Sequence, residues 1–160
     1  MKKKIFTVTV AIVLALAVVG VAIHKIGQNE TSGIVLISES EQVEISLDEL
    51  TVTDFSGTIV NGKGETFEHD FSGILLRDVL IKNGFILDQT SEVTVTSADN
   101  YSATILADEI LNYDKVYIAT VCDGEQVEGI EGDSYGAEIV VFGDKDSRRC
   151  VRYLMKVEVK

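Results

Sequence analysis

The chain has 160 residues, with 26 acidic against 14 basic side chains, a net charge of -12 and no proline. That length suits one small domain behind a leader. So acidic a domain repels nucleic acid and anionic surfaces, so nucleic acid is excluded as an expected partner.

After Met1-Lys2-Lys3-Lys4, the run from Ile5 to Ile23 is nineteen residues without a charge. As a helix rising ~1.5 Å per residue it spans ~28 Å, the hydrocarbon thickness of a bilayer. The expectation is a signal anchor and transmembrane helix over residues 1–23, a polar linker over 24–32 and a folded domain over 33–160. The lysines hold the N-terminus in the cytoplasm and place the domain outside the membrane. Ala15-Leu16-Ala17 offers a cleavage site that would release a secreted domain. Cutting there strands the apolar residues up to Ile23, which favours the uncleaved anchor. Lys2, Lys3, Lys4 and Lys25 all precede the first acid, so the domain keeps ten cations against 26 acids, a net of -16. Six of the ten lie in the last sixteen residues: Lys145, Arg148, Arg149, Arg152, Lys156 and Lys160.

From Gly33 onward the chain reads as short β-type runs with few helices. Ile34–Ile37 is a short apolar strand, and Ser46-Leu47-Asp48-Glu49 has capping-box spacing for one helical turn. Thr58–Val60 and Glu65–Phe71 flank Asn61-Gly62-Lys63-Gly64, a hairpin signal. Leu75, Leu76, Val79 and Leu80 recur at helical spacing before the stop at Asn83-Gly84. A second hairpin joins Val93–Thr96 to Tyr101–Ile105, with a helical turn after it at Ala107–Leu111. Val116–Val121, a turn at Asp123-Gly124, and Ala137–Phe142 add further strands. In the final run, Val151, Tyr153, Met155, Val157 and Val159 are expected on the core face, with Arg152 and Leu154 on the other.

The blocks "GILLRDVLIKNGF", "EVTVTSADNYSATILADEIL", "VYIATVCDGEQV" and "YGAEIVVFGDKDSRRCVRYLMKVEV" stand in this order between Gly57 and Val159. Together they resemble the molybdopterin-binding domain of the sulfite oxidase family. The resemblance implies an α+β fold around a strongly bent, mostly antiparallel sheet with a few short helices. It also implies a molybdopterin cofactor, with Arg149 and Arg152 matching the basic residues that hold its phosphate and pterin. Guanidinium forks suit that task because they bind phosphate bidentately and keep their charge. The other reading of these cations is pairing with the surplus Asp and Glu, worth ~0–1 kcal/mol per surface pair.

Ser97 falls where the family carries its metal-binding cysteine. A serine hydroxyl is far less acidic than a thiol of pKa ~8.5, so it is a poor anionic ligand near neutrality. The leader has Lys-Lys-Lys and no twin arginine, which points to export of an unfolded chain without a bound pterin. The expected function is therefore a membrane-anchored, extracytoplasmic binding or accessory module without catalysis, serving a small anionic ligand or a partner protein. One alternative is a molybdenum-cofactor-dependent oxidoreductase with Ser97 near the metal. Another is a cell-surface spacer or interaction domain with no small ligand.

Cys122 and Cys150 are the two cysteines of the chain. A disulfide between them would stabilise the fold by ~3.5 kcal/mol in the chain-entropy model; two separate thiols is the other reading. Glu68-His69-Asp70 cannot converge on one ion from a strand, because His69 faces with Phe67 and Phe71 while its neighbours point away. His69 is thus expected to pack, and no metal site is expected. The acidic run through Asp123, Glu125, Glu128, Glu131, Asp133 and Glu138 lacks EF-hand spacing and reads as a solvated glycine-rich loop.

Overall fold

The computed structural model describes residues 33–129 and 136–160. The expected anchor and linker, and Glu131 and Asp133 of the acidic run, lie outside the described residues.

Among the described residues, ten strands and two short α-helices follow in order. They are β1 (Gly33–Ile37), β2 (Gln42–Ser46), β3 (Thr53–Val60), β4 (Thr66–Leu75), helix α1 (Leu76–Lys82), β5 (Glu92–Ser97) and β6 (Ser102–Leu106). Then come helix α2 (Ala107–Asn112), β7 (Val116–Cys122), β8 (Glu125–Gln126), β9 (Glu138–Val141) and β10 (Leu154–Val159). Single 3-10 turns occupy Leu47–Glu49 and Ser147–Arg149. The first turn forms where the capping-box spacing placed it, but the Ser46 side chain makes no cap hydrogen bond.

The strands divide into two five-stranded sheets rather than one bent sheet. The first runs β2-β1-β10-β5-β6, with β1 and β10 parallel and the other pairs antiparallel. The second runs β3-β4-β7-β8, with β9 also on β7, all antiparallel. Antiparallel pairing follows from the tight hairpins at residues 61–65 and 98–100, which need no crossover. In the first hairpin Asn61 Oδ1 accepts from the Lys63 and Glu65 amides while Gly64 takes φ 83°. An isolated bridge between Ile139 and Val151 ties the segment before β10 to the second sheet.

The main core lies between the first sheet, the helices and one face of the second sheet. Ile34, Leu36, Val93, Val95 and Val157 meet Leu76, Val79, Leu80 and Ile110 from the helices, and Ile118 and Ile139 from the other sheet. Each of these aliphatic side chains contributes ~1.5–3 kcal/mol by leaving water. The second sheet also buries its opposite face, where Phe71, Ala119 and Val140 pack with Phe55, Ile59, Cys122 and Phe142. Alternation along β7 explains this, since Ile118 and Ala119 point to opposite faces and both are fully buried.

The final strand departs from the expected alternation. Leu154 is buried and Met155 is 39% exposed, the reverse of the simple period-two reading. Tyr153 takes φ 52°, and the ladder pairs Leu154 with Ser97 but Lys156 with Thr96, leaving Met155 as the extra residue of a bulge. The bulge resets the phase, after which Val157 and Val159 return to the core.

Candidate functional site

Ser97 ends β5, and the three-residue loop behind it closes with Asn100 at φ 67°. Ser97 is 5% exposed, and its hydroxyl donates to the Asp99 carboxylate. Asp99 Oδ1 also accepts from the Tyr101 amide at 3.0 Å, and these bonds hold the carboxyl below its ordinary range. To bind a metal as an alkoxide, Ser97 would have to lose its proton beside that fixed negative charge, which raises the cost further.

Arg149 sits at the end of the second 3-10 turn, with both edges of its guanidinium occupied. Nη1 and Nη2 donate to Glu109 at 2.6 and 3.1 Å, Nε donates to Asp144 Oδ2 at 2.6 Å, and Nη2 also donates to Asp144 Oδ1. Lys115 adds a 2.7 Å bond to Glu109. Arg149, with Lys115 in support, pushes the Glu109 carboxyl down to about 2 against the opposing effect of burial. Four donors are thereby committed to α2 and to the loop after β9. Arg148 is committed to Asp146 through Nε at 2.9 Å and Nη2 at 2.7 Å.

Arg152 differs from both. Its side chain is 81% exposed and its ion-pair contact is Nε to Glu138 at 3.7 Å. It borders a cleft of about 340 Å³ over the aromatic face of the second sheet, together with His69, Cys122, Glu138 and Cys150. Burial raises the Glu138 carboxyl above its ordinary pKa, against the pull of Arg152. Burial likewise raises both thiols.

Among the described cavities, none is lined by all three residues singled out by the resemblance. Arg149 borders a groove with Tyr101 and Asp146, Arg152 borders the cleft beside Cys122, and Ser97 lines none of the described cavities. In this structure the Arg149 guanidinium is taken up by the Glu109 and Asp144 carboxylates and the Ser97 hydroxyl by Asp99. Cys122 and Cys150 are free thiols, so the disulfide reading is not realised; both line the cleft.

His69 faces with Phe67 and Phe71 as expected, its ring 6.3 and 5.8 Å from theirs. Its neighbourhood is richer than packing alone. Nδ1 lies 2.7 Å from Asp123 Oδ2, and the Cys122 thiol joins them, all three ligand atoms falling within 4.8 Å of one another. Asp123 is fixed by two backbone bonds to Asp70, donating its N–H to the carbonyl at 2.6 Å and accepting at Oδ1 at 3.0 Å. The expectation of no metal-type cluster considered only the neighbours of His69 in sequence and missed the partners supplied by β7. The available signal was the Cys-Asp-Gly turn following a strand that pairs with β4.

No family model matches the chain, and no curated protein matches it. Seventeen chains of solved structures do. The fold resembles that of the sulfane dehydrogenase SoxCD from Paracoccus pantotrophus. The TM-score is 0.63 at 10% identity, over 79% of this chain and 37% of the SoxCD chain. At that identity the likeness concerns the fold alone, and it agrees with the sheet-rich α+β architecture implied by the sequence blocks. This chain spans little more than a third of the SoxCD chain it matches.

Proposed function

We propose that the chain is an extracytoplasmic, membrane-anchored domain of an oxidoreductase-related fold that works as a binding or accessory module without redox catalysis. The observation that carries this reading is the Ser97–Asp99 hydrogen bond, which occupies the hydroxyl standing where the resembled family has its thiolate. The closure of Arg149 onto Glu109 and Asp144 supports it, because a guanidinium with both edges paired has little left for a pterin phosphate. The uncharged run from Ile5 to Ile23 behind three lysines supports the anchor.

The partner face in this reading is the cleft bordered by Arg152. Arg152, 81% exposed and with a single ion-pair contact among the described residues, at 3.7 Å, keeps donors for an anionic group, on a small ligand or on a partner protein. Glu125, Glu128 and Glu138 nearby restrict how much negative charge that group can carry.

The full chain, purified from its native host, tests the reading by its pterin content. Denaturation and oxidation of a bound pterin yield a fluorescent product, and the expected result is none above background. Pterin approaching the molar amount of protein rejects the proposal in favour of the molybdenum enzyme.

A further inference from the structure

We propose that His69, Cys122 and Asp123 form a binding site for one zinc-class divalent cation, with a fourth position open to solvent at the cleft. The three residues supply nitrogen, sulfur and oxygen, the mixed donor set that zinc and its neighbours accept. Their ligand atoms already lie within 4.8 Å of one another. Tetrahedral bonds of ~2.0–2.3 Å place ligand atoms roughly 3.3–3.6 Å apart. The His69–Asp123 contact at 2.7 Å then opens by about half an ångström, and the thiol, within 4.8 Å of both, closes by at most about 1.5 Å. Side-chain rotation at the rim of the cleft supplies movements of that size, since His69 and Asp123 are 31% and 55% exposed.

The backbone prepares the site. His69 is on β4, Cys122 is the last residue of β7, and the ladder sets Phe71 opposite Cys122. Asp123 follows at φ 52° and Gly124 at φ 82°, a tight turn that brings the carboxylate back beside β4. One carboxylate oxygen is held by the Asp70 amide, so the other is presented to His69. Two ligands therefore stand on paired strands and the third on a turn pinned to one of them, an arrangement that places a first shell without large rearrangement. Cys150 borders the same cleft but stands outside this group, its sulfur lying 4.0 Å from the Val141 carbonyl.

The test is cobalt(II) titration of the reduced, chelator-stripped full chain in detergent. Cobalt reports its own ligands: a thiolate bond gives a near-ultraviolet charge-transfer band. The expected result is a band saturating at one equivalent and removed by zinc. Cys122→Ser abolishes it, His69→Ala weakens binding roughly ten-fold or more, and Cys150→Ser leaves it unchanged. Asp123→Asn keeps the Oδ1 acceptor for the Asp70 amide, so its near-ultraviolet dichroism stays native while cobalt affinity falls roughly ten-fold. A wild-type chain with no band overturns the proposal, as does a band surviving in Cys122→Ser or lost in Cys150→Ser. Undiminished affinity in Asp123→Asn also overturns the three-ligand site.

Discussion

The Arg149 guanidinium grips the Glu109 carboxylate with two hydrogen bonds, across forty residues of sequence, and so fastens the segment before β10 to helix α2. Asp144 takes the other edge of the same guanidinium. In an acidic chain this explains a cluster of arginines without any ligand: Arg148 and Arg149 are bound to the chain's own carboxylates at short range, and Arg152 makes a longer contact of 3.7 Å to Glu138.

Arg149→Met removes this fastener and leaves Glu109 with Lys115 and Asp144 without its guanidinium. Hydrogen bonds between charged partners contribute ~1.5–3 kcal/mol, so the melting temperature should fall by roughly 5–10 °C. Differential scanning calorimetry checks this. An unchanged melting temperature would mean that Arg149 is free for a ligand after all.

The same pair sets a pH response. The folded Glu109 carboxyl is pushed down to about 2 from an ordinary 4.5. The unfolded chain therefore takes up this proton first as pH falls, so the stabilisation is present above the unfolded pKa and lost between about 4.5 and 2. Glu109→Gln should flatten that part of the stability curve in urea titrations. A wild-type slope retained in the variant would assign the acid sensitivity to other groups.

Glu138 has the opposite sign. Burial raises its folded pKa, so its contribution is most favourable below the unfolded value and declines as pH rises through the folded one. In metal-free protein, Glu138→Gln should therefore raise the melting temperature near neutral pH and lose that advantage in acid. A variant less stable than wild type at neutral pH would show that the Arg152 contact outweighs burial.

Gly57 makes room for Phe142 in the aromatic face beneath the cleft. A β-carbon there would stand 2.1 Å from Phe142 Cε1, inside a cluster where Phe142 also meets the rings of Phe55 and Phe71 at 5.9 Å. Gly57→Ala should cost about 1–3 kcal/mol through overpacking. Phe142→Leu should then cost less in that background than in wild type, measured by a thermal double-mutant cycle. Additive effects would place the strain elsewhere.

Periodicity made most of the fold legible. The 3.6-residue repeat through Leu76, Val79 and Leu80 marks α1, and the glycine turn at Asn61–Gly64 marks the hairpin, because both are local signals. What depends on distant pairing was hidden. Nothing near Arg149 names Glu109, and the bulge at Met155 reverses the expected faces of Leu154 and Met155. Of the candidate site, the cleft position of Arg152, Cys122 and Cys150 emerges with the structure, as does the meeting of His69 with Cys122. The β4–β7 ladder carries its own register shift between Ser72 and Gly73, so composition alone could not have set these side chains beside each other.

The proposed function rests on a serine hydroxyl tied to a neighbouring carboxylate at the position where the resembled family carries its thiolate. Elemental analysis for molybdenum on the full chain from its native host, normalised to protein, addresses this most directly. The account predicts molybdenum at background. One molybdenum per chain, surviving gel filtration, would contradict it.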